Sequence, residues 1–342
     1  MRHARLIVSP APFVSNHPDV SRISLVVLAA IVPIVWMLVS SADYRALANL
    51  ALALSGVVAS TLLPGASAGL KGLKGCTPLV TGAAAGLLLP TTLSPVYAFI
   101  VPFVVFLLAR AAFGGYGSYW VNPAMATVCV AYLCQPDAFP PFLVSADGIR
   151  TAGDAFSALK LDQFAQLPQD QAMTGALNLH ILGRLGIRLP DGYVTLFWNS
   201  PSAIPAFRYN VIIIAASIVL IALECVDTLV PAVFIATYAV AVRVFSLVPF
   251  GARFAEGDVL FALLTGGVLF TAFFVLPDTS TTPRTRVGKA ASGFIAGSLA
   301  FLICGPGGTP VGCAFTVVAA NCVNVIIELA ERRALFQSRR LA

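Results

Sequence analysis

Along the chain, long apolar stretches of helical length alternate with short polar, glycine-rich or proline-rich breaks. The stretches fall near residues 23–40, 46–63, 96–112, 122–135, 208–223, 228–248, 258–276, 289–304 and 310–328. A helix needs about 20 apolar residues to cross the hydrocarbon of a bilayer, so each predicts a membrane span. Thr77 to Pro90 makes a tenth, short and interrupted by glycine. Ten segments divide into two sets of five, and an odd number of spans in each set turns the second upside down relative to the first. The expected fold is an all-α polytopic membrane protein of about ten transmembrane helices in two inverted five-helix repeats with broken helices. The expected boundaries are a cytoplasmic arm at 1–22, a first membrane repeat at 23–135, an extracytoplasmic segment at 136–207, a second membrane repeat at 208–329 and a cytoplasmic tail at 330–342.

The breaks themselves repeat. Leu263-Leu264-Thr265-Gly266-Gly267 opens an apolar segment that runs through Phe270 to Leu276 and empties into Pro277-Asp278-Thr279-Ser280-Thr281-Thr282-Pro283-Arg284. This reads as a helix ending at a hydroxyl-rich cup. Roughly half a chain earlier stand Leu79-Val80-Thr81-Gly82 and Leu87-Leu88-Leu89-Pro90-Thr91-Thr92. A second echo, Phe113-Gly114-Gly115-Tyr116-Gly117 against Cys304-Gly305-Pro306-Gly307-Gly308, recurs at nearly the same offset. Broken helices in matching positions of two halves point to a site between them. Polar backbone at membrane depth is tolerated only where protein or a cavity surrounds it, so Thr81-Gly82 and Thr91-Thr92 are expected to face the interior between the repeats.

Composition agrees with the pattern. Hydrophobic residues make up 58% of the chain and charged residues 11%, with a mean hydropathy of +0.89. In a soluble domain about a quarter of residues are charged, so that class is excluded. Lys and Arg concentrate in loops that face the cytoplasm, and with the N-terminus inside, Arg2, Arg5 and Arg22, Lys71 and Lys74, Arg110, Arg284, Arg286 and Lys289, and Arg332, Arg333, Arg339 and Arg340 all fall on that side. Both termini are then cytoplasmic, and the net charge of +6 reports topology and needs no nucleic acid. The first 22 residues are polar, with Pro10, Pro12 and Pro18, and read as an arm that docks on neighbouring chains. No cleavable signal peptide is expected, because the first apolar run is long enough to span.

The candidate chemistry is sparse. Glu224 and Asp227 share a short loop that holds no cation of its own. Carboxylates at the end of a membrane segment tend to be functional, which makes them ion-pathway candidates, against the alternative of acids reaching water beside a short loop. Asp278, beside Thr279, Ser280 and Thr281, suits the cap of the next helix or a cation. Asn122-Pro123 suits a capped helix start or a ligand contact. The seven cysteines include no Cys-x-x-Cys and lie mostly in apolar runs, so they read as small buried residues. The three histidines are scattered and no nucleotide-binding glycine motif occurs; no metal site is expected.

Gly114-Gly115-Tyr116-Gly117 followed by Asn122-Pro123-Ala124-Met125, the Thr-Gly segment ending in Leu-Leu-Leu-Pro, and Asp278 followed by Thr281-Thr282-Pro283 resemble, in order and spacing, the D subunit of the Rnf-type electron transport complex. A close relative of that protein is the B subunit of the sodium-translocating NADH:quinone reductase. The resemblance covers nearly the whole chain. It implies one member of a six-protein assembly in the bacterial inner membrane that passes electrons between ferredoxin or a nicotinamide cofactor and another carrier while moving Na⁺ or H⁺. It also implies FMN, attached through its phosphate to a threonine of a Ser/Thr-Gly-Ala-Thr motif near the outer surface, and leaves room for a second, non-covalent flavin such as riboflavin. Here Thr174-Gly175-Ala176 matches the first three positions, but Leu177 stands at the acceptor. Leucine has no oxygen for a phosphoester. Three readings remain open: no FMN at this site, FMN held without a covalent bond, or another hydroxyl such as Thr174, Thr151 or Ser157 as acceptor. Asn199-Ser200-Pro201-Ser202, where the family has a glycine-rich run, departs in the same direction. The resemblance makes Thr174, Gly175, Ala176, Asn122, Asp278 and Thr281 the candidate flavin residues. Against a pump subunit stand two rivals: a stand-alone channel or secondary transporter, and a structural subunit that has lost its FMN.

Overall fold

A computed structural model describes residues 20–63, 75–113, 118–139, 167–186, 189, 191–200, 202–245, 258–305 and 311–341. Most of the N-terminal arm, Lys71 and Lys74, Gly114 to Gly117, and Thr151 and Ser157 lie outside the described residues. No strand occurs among those described. The first half contains α1 (Val20–Ser40), α2 (Tyr44–Leu62), α3 (Thr77–Leu88), α4 (Pro95–Phe113) and α5 (Pro123–Cys134). Two short helices follow, α6 (Asp170–His180) and α7 (Tyr193–Trp198). The second half contains α8 (Asn210–Ala222), α9 (Leu229–Phe245), α10 (Val259–Thr265), the single turn α11 (Val268–Phe270) running into a π turn (Thr271–Val275), α12 (Arg286–Cys304) and α13 (Gly312–Leu341).

Five of these helices are long and apolar enough to cross a bilayer: α1, α2, α4, α12 and α13 over Gly312–Ala334. Four more, α3, α5, α8 and α9, are apolar but shorter. Every predicted apolar stretch therefore holds a helix or a divided helix, and not every one holds a full span. The 12 residues of α3 rise only about 18 Å, against roughly 30 Å of hydrocarbon. Trp36, Leu108, Leu302 and Ile326 are among the large apolar side chains left exposed, a surface that only lipid or another apolar partner covers well. The chain is a multi-pass membrane protein.

Packing follows the same scheme in both halves. The second helix of each set lies along the fourth, α2 against α4 and α9 against α12. Glycine permits the close approach. A Cβ on Gly56 would stand 2.6 Å from the Phe99 carbonyl oxygen, and one on Gly297 2.7 Å from the Phe234 carbonyl oxygen. Small residues let membrane helices meet backbone to backbone, where dispersion replaces the missing hydrophobic drive. The halves touch where α1 meets α8 and where α5 meets α13.

The two breaks differ from the sequence expectation in one respect. Helix α3 runs unbroken through Thr81 and Gly82, and Gly82 packs on Leu54 and Val57 of α2. It does not face the other half; glycine serves there as a close-packing residue. The first break comes at Leu89-Pro90, where the Asn49 side-chain amide donates to the Pro90 carbonyl at 2.9 Å. Thr91 and Thr92 turn to the loops, the Thr91 amide donating to the Ala203 carbonyl at 3.0 Å and the Thr92 hydroxyl to the Ala138 carbonyl. The second break comes where expected. Gly267 takes φ +70°, and a Cβ on it would lie 2.2 Å from the Phe207 ring. Asn210 donates to the Leu264 carbonyl at 2.8 Å, satisfying an acceptor that the broken helix leaves without an intrahelical donor.

Loop-to-loop contacts sort into two faces. On one, Arg208 pairs with Asp43 and the Tyr193 hydroxyl donates to Asp258. On the other, Asn122 donates to Asp278, Lys289 pairs with Asp227 and the Thr285 hydroxyl donates to Glu331. Each contact joins segments that the charge pattern assigned to one side.

Candidate functional site

On the face that carries Asn122 and Asp278, a cavity of about 140 Å³ opens between the starts of α1, α3 and α5, the turn at Cys225-Val226 and the segment from Phe273 to Thr279. Each wall has a local cause. Proline at the first position of α5 presets the helical φ, and the Asn122 side-chain oxygen accepts from the amides of Ala124 at 3.0 Å and Met125 at 3.4 Å. The other end of that side chain donates through Nδ2 to Asp278 Oδ2 at 3.2 Å. Asn122 is thus both the expected cap and a bridge to the second half.

Asp278 does not cap the next helix. Helix α12 begins eight residues later, and its cap is Thr285, whose hydroxyl accepts from the Gly288 amide at 3.0 Å. Instead Asp278 Oδ1 accepts from the Ser280 amide at 3.1 Å and hydroxyl at 2.9 Å, an Asx turn that closes locally before a helix begins. Its backbone carbonyl takes the amides of Thr281 and Thr282, both at 3.1 Å. The hydroxyl cup is therefore a self-satisfied turn with one carboxylate oxygen turned to Asn122.

Around this pair the cavity is lined by Ser24, Thr77, Thr81, Phe273 and Phe274. The Ser24 and Thr77 hydroxyls lie 3.2 Å apart, and the Phe274 ring stacks on Phe270 with centroids 4.9 Å apart. Among the described lining residues Asp278 is the one carboxyl, its pKa raised by burial against the hydrogen bonds from Ser280, and no Lys, Arg or His is present. These described residues offer aromatic faces, an amide, hydroxyls and one carboxyl, and no cation among them to hold a phosphate.

Of the sequence candidates, the structure brings Asn122, Asp278 and Thr81 to one cavity. Thr281 is buried beside it, with its carbonyl accepting from Asn324 at 3.0 Å. Sequence reasoning missed Phe273, Phe274, Ser24 and Thr77. Ser24 had a signal, a lone hydroxyl at the start of the first apolar run. The phenylalanines had none, because nothing in an apolar run marks which rings turn inward.

Thr174, Gly175 and Ala176 lie elsewhere, on α6, which packs on α7. Asp170 organises this unit. Its carboxylate is buried and accepts from the Gly192 amide at 2.6 Å, the Thr195 amide at 2.7 Å, the Thr195 hydroxyl and the Thr174 hydroxyl at 3.1 Å. Burial works against its charge, but the bonds from Thr195, Gly192 and Thr174 outweigh it and hold its pKa below the ordinary carboxylate value. Thr174 is fully buried with its hydroxyl committed to Asp170, Gly175 and Ala176 carry no hydroxyl, and Leu177 is half-buried. Among the described residues of this stretch none fits a phosphoester-linked flavin.

Glu224 and Asp227 are exposed and line no part of the cavity, although Cys225 and Val226 between them do. Glu224 sits in the turn at φ 53°. The missing cation of that loop comes from another helix: Lys289 of α12 pairs with Asp227. Its hydrogen bond, with the Leu229 amide, holds the Asp227 pKa below its ordinary value.

The chain matches the model of the NQR2, RnfD, RnfE family over residues 7–337. It is similar to the D subunit of the ion-translocating oxidoreductase complex of Cronobacter sakazakii, 27% identical over 357 aligned residues that cover 97% of this chain and 99% of that protein. It is also similar to the D subunit of the proton-translocating ferredoxin:NAD(+) oxidoreductase complex of Clostridium ljungdahlii, 24% identical over 264 residues covering 76% of this chain and 74% of that one. The corresponding ion-translocating oxidoreductase complex protein of Halorhodospira halophila is 27% identical over 233 residues, covering 65% of this chain and 64% of its own length.

Proposed function

Because the chain belongs to the NQR2, RnfD, RnfE family, we propose that it is the D-type membrane subunit of an ion-translocating oxidoreductase complex and that its cavity receives an unphosphorylated flavin of the riboflavin type. It works with the other subunits of that complex and is not a translocase alone. The observation that carries the flavin reading is the Asn122–Asp278 pair beside Phe273 and Phe274 in a cavity whose described lining has no cation. Among the described lining residues an FMN phosphate would meet the Asp278 carboxyl and no compensating cation.

The residues present suit one end of an uncharged flavin, because a cavity of about 140 Å³ is smaller than the whole molecule. Phe273 and Phe274 offer apolar ring faces that exclude water, the Asn122 amide and the Thr77 and Thr81 hydroxyls are in place to hold polar edges, and Asp278 would accept hydrogen bonds from ribityl hydroxyls. A bound flavin would supply one- and two-electron redox chemistry at this face. The protein orients it: Asn122 is held at its oxygen by the α5 amides and at its nitrogen by Asp278, so its side chain has a single pose.

The same reading places the cavity at the cytoplasmic face of the bacterial inner membrane, with both termini cytoplasmic and two inverted five-helix repeats. Support comes from the sorting of loop contacts by face and from the recurrent packing of second helix on fourth. Inverted repeats with broken helices hold their sites at the repeat interface, and the Asn122–Asp278 bond crosses between the halves.

The test is to purify the complex, denature it and identify the flavin. We expect the chain to run as a non-fluorescent band on a denaturing gel, and chromatography of the released material to show riboflavin in proportion to this chain. A fluorescent band, released FMN assigned to this chain, or no flavin would overturn the proposal. Co-purification with partner subunits, and no transport by the isolated chain in liposomes, separates it from a stand-alone transporter.

A further inference from the structure

Cys304 is the last residue of α12 and Cys313 the second of α13. Both are buried, and their sulfurs lie 3.6 Å apart. The approach is built into the backbone. A Cβ on Gly312 would stand 2.7 Å from Cys304 Sγ and 2.9 Å from its Cα, so only glycine lets the two helix ends close to this distance. The end of α12 is also anchored from a third helix, the Tyr238 hydroxyl donating to the Gly305 carbonyl at 2.9 Å. Cys313 Sγ donates to the Gly266 carbonyl at 3.0 Å, which places the pair directly against the break between α10 and α11.

From this geometry we propose that Cys304 and Cys313 form a dithiol–disulfide couple that closes the α12–α13 hairpin. Two buried small residues need no sulfur contact. Here the thiols face one another with helix ends that cannot drift apart. Closing the bond brings the sulfurs to about 2 Å. It also removes the thiol hydrogen that Cys313 gives to Gly266, so the redox state reaches the broken helix through one named carbonyl.

The reaction balances by exchange with an external disulfide. One cysteine thiolate attacks it, forming a mixed disulfide as the external sulfur–sulfur bond breaks and one thiolate leaves. The second cysteine thiolate then attacks the mixed disulfide and expels the other. The pair loses two electrons and two protons, and the external disulfide becomes two thiols. Helix α12 starts at the face of Asp227 and Glu331 and ends at these cysteines, so they lie toward the opposite face. On the topology proposed above that face is extracytoplasmic, where disulfides persist; that part of the inference rests on the proposed topology.

The test uses the whole complex in its membrane. One sample is denatured as isolated in iodoacetamide, and a second is first treated with diamide, a small uncharged azo oxidant that takes up the two hydrogens. Unreduced digests are read by mass spectrometry. We expect the Cys304 and Cys313 peptides to be joined after diamide, both alkylation sites to be lost together, and reduction to restore both. In Cys313→Ala, Cys304 should stay alkylated; in Cys304→Ala, Cys313 should. Recovery of both cysteines separately alkylated after diamide overturns the couple. A link present as isolated supports the extracytoplasmic placement as well, while a pair that is reduced as isolated but joins with diamide supports the couple and overturns that placement.

Discussion

The side-chain amide of Asn122 donates to the carboxylate of Asp278 across 3.2 Å, joining residues 156 positions apart at one cavity wall. The same side chain caps α5 through its oxygen, so two substitutions separate the roles. Asn122→Asp keeps the capping oxygen but sets a second carboxylate against Asp278, a repulsive contact. The complex should still assemble, with its non-covalent flavin content reduced at least about tenfold, equivalent to about 1.4 kcal/mol. Asn122→Ala loses the cap as well, at about 1 kcal/mol, and should lower the melting temperature in detergent. If flavin content in Asn122→Asp equals that of the parent, the pair does not hold the cofactor.

Gly267 is doubly constrained, by φ +70° and by the Phe207 ring against the place of its missing Cβ. Gly267→Ala should destabilise the protein by about 2–4 kcal/mol, adding left-handed backbone strain to a steric clash. Phe207→Leu in the same chain should recover only part of the loss, because it relieves the clash and leaves the strain. Melting of the parent and both variants in one detergent measures both components. By contrast Gly175→Ala, where a Cβ would meet nothing within 4 Å, should be almost silent.

Asp170 accepts four hydrogen bonds, one from Thr174 within α6 and three from Gly192 and Thr195 that join α6 to the start of α7. Its folded pKa is lowered, so the stability it contributes is present above the unfolded value near 3.9 and is lost as pH falls through the folded value. Hydrogen exchange over residues 170–198 should therefore speed up below about pH 4, before the membrane helices are affected. Asp170→Asn should show fast exchange at neutral pH, since an amide nitrogen cannot accept the bonds one carboxylate oxygen now takes.

Two ion pairs should behave differently. The Asp43 and Arg208 side chains are 19% and 17% exposed, whereas those of Asp227 and Lys289 are 42% and 24% exposed. Removing one partner from the more buried pair leaves a poorly solvated charge, so Arg208→Met should cost about 1–3 kcal/mol, and Asp43→Asn added to it should return part of that. Lys289→Met should change stability by less than about 1 kcal/mol. Urea or thermal unfolding of the single and double variants checks each coupling. A large Asp227–Lys289 coupling would show that this loop is more shielded than its exposure indicates.

The sequence by itself determined the membrane class, the placement of the apolar segments and the location of the second break. Hydrocarbon imposes its own length and charge rules on any stretch that crosses it, and those rules act on local composition. The caps were legible for the same reason, since Asn122-Pro123 acts on amides two and three residues away. The cup at Asp278 was visible as chemistry but not as geometry, and its Asx turn displaced the helix cap to Thr285. Only the tertiary structure decided that Gly82 serves packing on α2 while Gly267, one residue beyond the matching Thr265-Gly266 pair, serves a break, because both segments read alike and the difference lies in backbone conformation and in which neighbour stands against the missing Cβ. It also decided that Lys289 answers Asp227, that Cys304 meets Cys313, and that Asn122 finds Asp278. Such contacts join positions far apart in the chain or on facing helices, and their energy depends on distances that no local pattern encodes.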